Sequence, residues 1–403
     1  MNRRFAILAS VATVWAGAPV LAADAGRQYG PGVSDTEIRI GQTMPYSGAY
    51  SAAGAIGRTE SAYFKTINAH GGINGRRVRF ISLDDEYSPP KTLEQTRRLV
   101  EQEDVLAIVG SFGTPTNAAI QKYLNDRRIP QLFIQAGASR WNDPVHFPWT
   151  MPLVDLLRSE AELYAGYILA NHPGARIAVL YQNDDFGRDY LNGLKERLGA
   201  QADRMVIAIA SYEASDPTVD SQVVTLASSG ANILLIAAGP KFAALAIRKA
   251  HDIGWHPVRF LAQVSAASQA ALNAAGPDRV LGVITASSFK SIDDPQWAND
   301  PDYLAWQAFM HTNYPEGDIR DGFTFAGYSN ATLFGEVLRR CGDELTRDNL
   351  MAVATHLQGV RMPALLPGIT VNTSPADYEP LKQMLLERFD GRRWVPITHA
   401  PAE

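Results

Sequence analysis

Short apolar runs that end in small, hydroxyl or acidic residues, each followed by a helical pattern, constrain this chain more than any other feature. The sharpest is Leu106 to Asn117, reading Leu-Ala-Ile-Val-Gly-Ser-Phe-Gly-Thr-Pro-Thr-Asn. It reads as a buried parallel strand, a tight loop and a helix start. Thr114 is expected as the N-cap, with Pro115 at the first helical position. Backbone N–H groups at such a start lack intrahelical partners and carry the positive end of the helix dipole. The loop can therefore seat a carboxylate, or Thr114 can serve only its own helix.

The same unit recurs along the chain. Residues 37–45 read as a strand, 56–69 as a helix, 77–84 as a strand, 90–103 as a helix and 129–135 as a strand. This β-α alternation defines an α/β fold with a doubly wound parallel sheet. Ligands of such sheets sit outside the carboxyl ends of the strands. Ser47, Gly48, Gly113, Thr114, Gly137 and Ser139 fall there, and Gln135 ends its strand.

Pro144, Pro148 and Pro152 mark residues 140–152 as a stiff, extended crossover. Beyond it the alternation restarts. Helices are expected over 153–171, 185–198, 216–228 and 239–253, and strands over 176–181, 205–210, 232–237 and 258–263. A strand at 280–287 precedes helices at 301–311, 322–340 and 347–357. Residues 363–367 read as a second crossover. Short strands at 369–371 and 394–397 flank a helix-like 381–389. Two lobes joined by several crossings account for this order.

Composition narrows the function. A formal charge of −5 over 403 residues, with no basic patch, argues against a nucleic-acid partner. Arg3 and Arg4 precede an apolar run from Phe5 to about Pro19, and Val20-Leu21-Ala22 follows. This is the pattern of a secretory signal peptide over residues 1–22. Residues 23–33 read as a loose polar arm. Cys341 is the single cysteine, so neither an internal disulfide nor cysteine-bound zinc is expected. No nucleophile elbow and no Walker loop occur. His251 and His256 fit no zinc spacing. Asp84-Asp85-Glu86 reads as a solvated strand end, or as one hydrogen-bonded to neighbouring loops, rather than a cation site. No catalytic residue, metal or cofactor is assigned.

Several segments resemble one family. Glu37-Ile38-Arg39-Ile40-Gly41, Ser47-Gly48 and Ile67-Asn68-Ala69-His70-Gly71-Gly72-Ile73-Asn74-Gly75 are similar to the start of periplasmic substrate-binding proteins of the branched-chain amino acid (Leu/Ile/Val-binding) type. Val179-Leu180-Tyr181, Asp185-Phe186-Gly187 and Phe325-Ala326-Gly327-Tyr328-Ser329-Asn330-Ala331 continue the match. The resemblance implies a type I architecture with three crossings, lobe 1 holding 34–148 plus 287–364 and lobe 2 holding 149–286 plus 365–403. It also implies a monomer in the periplasm that delivers its ligand to an ABC permease. Hydroxyls at Thr114 and Ser139, with N–H groups near Gly113 and Gly137, would bind a ligand carboxylate, and Phe186 would pack on the ligand.

Departures from the family qualify the ligand. Ala53 and Gly239 stand where the family's amino acid binders carry tyrosines, and Gln263-Val264-Ser265 stands where an acid should receive the ligand ammonium. A buried ammonium without a carboxylate partner costs several kcal/mol. The expectation is therefore a bulkier non-amino-acid carboxylate, with Tyr46, Tyr50, Phe112 and Phe186 free to stack on a ring. A branched-chain amino acid, a ligand-sensing role and an exported hydrolase are the alternatives. Arg140, beside Ser139, could pair with a ligand carboxylate, but an exposed or interlobe salt bridge is expected for it.

Overall fold

The computed structural model describes residues 27–292 and 294–397. The expected signal peptide lies outside the described residues. The segment read as a loose arm is partly paired: β1 (Gln28–Tyr29) runs parallel to the short strand Glu344–Leu345 (β12).

Two sheets carry the fold. The first contains β2 (Glu37–Met44), β3 (Arg77–Asp84), β4 (Ile108–Val109), β5 (Gln131–Ile134) and β6 (Thr150–Pro152), all parallel, in the order β3-β2-β4-β5-β6. The second contains β7 (Ile177–Gln182), β8 (Val206–Tyr212), β9 (Ile233–Ala237), β10 (Val258–Leu261), β11 (Ile284–Ser287), β13 (Leu385–Phe389) and β14 (Trp394–Pro396), in the order β14-β13-β11-β10-β9-β7-β8. In each sheet the strand order reverses direction at one point, between β2 and β4 and between β7 and β9. A crevice opens at the carboxyl ends of such neighbours. The chain thus places residues 45–50, 110–114, 182–184 and 237–239 at two facing crevices.

The central strands β7 and β9 of the second sheet are buried on both faces, as parallel strands between helices must be. Ile177, Val179, Ile233 and Leu235 enter one core with α4 (Leu157–Asn171) and α5 (Asp185–Leu198). Their alternates Ala178, Leu180, Leu234 and Ile236 enter the other, with Phe242 and Ile247. The helices α4 and α5 touch closely because Gly193 has no side chain. A Cβ there would lie 2.4 Å from the carbonyl oxygen of Arg158. Gly193→Val should therefore destabilise the fold by about 2–3 kcal/mol through overpacking. A melting temperature equal to that of the parent protein would show that the two helices can separate at no cost.

Three readings of the sequence need correction. Residues 381–389 contain strand β13, antiparallel to β11 with Glu387 opposite Thr285, not a helix. Thr150–Pro152, assigned above to lobe 2, pairs with Gln131–Ile134 and so extends the first sheet. Its proline, Pro152, is tolerated because β6 is an edge strand. Leu365, Val371, Tyr378 and Leu381, all assigned to lobe 2, pack in the core that holds Ile38, Ile40 and Leu132. Cys341 ends the helix Gly322–Cys341 and is buried, which pushes its thiol up to about 12 and leaves it inert.

Candidate ligand-binding site

The strand ends converge on one cavity of about 250 Å³. Tyr50, Phe112, Gly113, Thr114, Gln135 and Gly137 line it from the first sheet, and Phe186, Gly239 and Val264 from the second. Two residues assigned from sequence do not line it. The Tyr46 hydroxyl bonds the Ser82 hydroxyl at 2.6 Å, and its ring packs beneath α1 (Gly54–Ala69) against Gly54 and Gly57. Ser139 is engaged by a carboxylate from the protein itself. Its N–H donates to Asp189 Oδ2 at 2.5 Å and its hydroxyl to Asp189 Oδ1 at 2.9 Å.

The carboxylate loop differs in detail from its reading. The helix α3 (Thr114–Asp126) is capped by Gly113, at φ +98°, and Thr114 is the first helical residue rather than the cap. Glycine is required because a Cβ would meet the Tyr87 ring at 2.3 Å. The Gly113 N–H is committed to the Gln135 carbonyl at 3.2 Å. Freed from capping, Thr114 Oγ1 is buried and has no hydrogen-bond partner among the described residues. A buried hydroxyl left unpaired costs about 1–3 kcal/mol, which a bound acceptor or donor recovers.

Gly239 is not an open space. Tyr50, from the first lobe, fills it: a Cβ at Gly239 would lie 2.2 Å from the Tyr50 ring. Tyr50 stacks on Tyr87 with centroids 3.7 Å apart and donates its hydroxyl to Gln182 Oε1 at the end of β7. Gln182 also accepts from the Tyr212 hydroxyl at 3.2 Å. Sequence reasoning missed Tyr87 and Gln182. Tyr87 is aimed by two consecutive left-handed residues, Glu86 at φ +55° and Tyr87 at φ +58°. Asp84 and Asp85 fasten that turn, accepting from the N–H groups of Glu86 and Tyr87 at 3.0 Å each. This is the hydrogen-bonded role read for the acidic run. Among the described residues no group of three His, Cys, Asp or Glu is placed to hold a metal ion.

Arg140 spans the lobes, donating to Gln121 Oε1 on α3 at 2.9 Å and to Asp185 Oδ2 on α5 at 2.6 Å. No acid stands at Val264, but the wall holds acids elsewhere, among them Asp155 and Glu160. Burial pushes both up to about 7. Glu160 is saturated, accepting from Tyr164, Tyr190 and the Gln263 N–H. Asp155 bonds Ser288 through Oδ2, and its buried Oδ1 has no partner among the described residues.

The model of the family described as "Periplasmic binding protein" matches residues 37–391. The chain belongs to that family. An "Amino acid binding protein" of Pseudomonas aeruginosa is 24% identical over 256 residues, 62% of this chain. The chain spans 66% of the length of that relative. Among solved structures, a branched-chain amino acid ABC transporter protein from Thermus thermophilus with bound valine superposes with a TM-score of 0.81 at 16% identity, covering 91% of this chain and 96% of that one. A fatty acid ABC transporter substrate-binding protein from Thermomonospora curvata superposes with a TM-score of 0.77 at 19% identity, covering 92% and 94%. Among the described residues no helix is long and apolar enough to cross a membrane.

Proposed function

We propose that this chain is the periplasmic solute-binding component of an ABC importer, and that it closes over a small solute with a carboxylate on an apolar or aromatic body. The observation that carries the reading is Thr114 Oγ1, buried and unpaired in the cavity wall at the first turn of α3. A helix N-terminus favours an anion there, and a hydroxyl supplies a directed donor. Tyr50, Tyr87, Phe112 and Phe186 supply flat apolar faces for the body. Closure is the mechanism: a ligand touching both lobes binds the closed form better than the open one. The two related structures described above are named for bound valine and for fatty acid transport, and both of those solutes are carboxylates.

A thermal-shift screen with aromatic carboxylates, alkanoates and branched-chain amino acids tests the proposal. Thr114→Val should weaken the best carboxylate roughly tenfold, the worth of one charge-assisted hydrogen bond. Calorimetry showing equal affinity for both proteins would remove Thr114 from the site. A second reading, capture of an α-amino acid, is favoured by the free Asp155 Oδ1 in the same wall. It requires leucine or valine to outperform their deaminated analogues, and Asp155→Asn to abolish that preference.

A further inference from the structure

The cavity does not end at the cleft. It continues over one face of the second sheet, beneath the helix Gln269–Ala275, to the turn between β13 and β14. Leu272, Pro277 and Phe389 make this arm apolar, and Ser287 and Glu387 are polar residues of its wall. Glu387 faces the same side as its cross-strand partner Thr285 and is only 5% exposed. Its carboxyl receives no hydrogen bond from any described side chain or loop, unlike the acids around it. Of the cations at this end, Lys290 is paired with Asp300 at 2.8 Å and Arg393 with Asp294 at 2.8 Å, and Arg392, in the same turn, donates its backbone N–H to Asp390 Oδ1 at 2.8 Å. A carboxyl with no protein donor, set in the wall of a cavity, is open to a donor that a ligand brings.

We propose that this arm is a second ligand subsite, in which Glu387 receives an amine at the far end of an elongated carboxylate solute. The inference rests on the carboxylate reading of the cleft and adds the solute's second polar group. The solute class is an ω-amino acid, with an apolar spacer lying between Phe112 at one end and Phe389 at the other. Burial first, and Asp294 second, push the Glu387 carboxyl up to about 7, and an ammonium beside it favours the ionised form.

The test compares linear ω-amino acids of four to ten carbons with the unsubstituted acids and diacids of equal length, by calorimetry on the mature protein. At the best length the amine should bind roughly tenfold more tightly than the parent acid. Glu387→Gln should erase that difference while leaving the parent acid's affinity unchanged. The variant should melt no lower than the parent protein, because the lost group had no partner to strand. Equal affinities for amine and parent acid, tighter binding of the diacid, or no binding of any ω-amino acid each overturn the subsite. Thr114-dependent binding of aromatic carboxylates in the same series leaves the cleft reading standing when the subsite falls.

Discussion

Gly239→Leu should weaken ligand capture by about a hundredfold and hold the protein open. The backbone at Gly239 has φ −71°, which any residue adopts, so strain is not the cause. The cause is volume. A Cβ there overlaps the Tyr50 ring, and that ring cannot retreat, because it is stacked on Tyr87 and buried between the lobes. Overpacking of this kind costs about 1–3 kcal/mol, and the upper end corresponds to about a hundredfold in affinity. The penalty falls only on the closed form, since opening withdraws Tyr50 from Gly239. Tyr50→Ala in the Gly239→Leu background should restore most of the loss, a coupling that a double-mutant cycle measures directly. Scattering profiles that show the same compact form for Gly239→Leu and the parent protein, with or without ligand, would refute the seat.

Stability should fall steadily as the pH rises from about 4.5 to 8. Burial raises Glu60 to about 8 and Asp155, Glu160 and Glu387 to about 7. In the unfolded chain these groups lose their protons near their ordinary values, 4.5 for Glu and 3.8 for Asp. Between the two values the folded state binds more protons than the unfolded state. The stabilisation is complete below the unfolded values and is lost as the pH passes the folded ones. Acids whose values are lowered act in the opposite direction and only at lower pH. Asp377, despite its burial, is held down by hydrogen bonds from Lys382, the Glu379 N–H and Asn142, so its contribution is lost as the pH falls below about 4. Over the window from about pH 4.5 to 8 the decline should amount to several kcal/mol, since each pH unit separating a group's folded and unfolded values is worth on the order of 1.4 kcal/mol. Glu60→Gln should flatten the upper part of the curve, because Glu60 meets only Gln42 and Asn330 and no cation. A melting temperature that rises between about pH 5 and 8 would contradict the sign.

What the sequence revealed follows from how local each signal is. The strand Glu37–Met44 and the helix Asp185–Leu198 were readable because their apolar periods and caps lie within the segment. The strand Leu385–Phe389 was not. Leu-Leu-Glu-Arg-Phe favours a helix locally, and only antiparallel pairing with Ile284–Ser287, far back in the chain, makes it a strand. The site divides in the same way. Thr114 was readable from the strand-loop-helix pattern around it, although its capping role passed to Gly113. The engagement of Ser139 by Asp189 and of Gly239 by Tyr50 depends on contacts between lobes, which no local pattern encodes.

Among the contacts by which the protein's own residues fasten the lobes are Tyr50 on Gln182, Ser139 on Asp189, and Arg140 on Asp185. None of these contacts waits for a solute, so each lowers the free energy of an empty, shut molecule. A ligand moves the balance only by its difference in affinity for the two forms. The narrower that difference becomes, the less a membrane partner can tell a loaded carrier from a vacant one. In an importer of the kind proposed, surplus vacant carriers would occupy docking positions unproductively. Uptake would then pass through a maximum as carrier abundance rises relative to the permease, instead of climbing to a plateau.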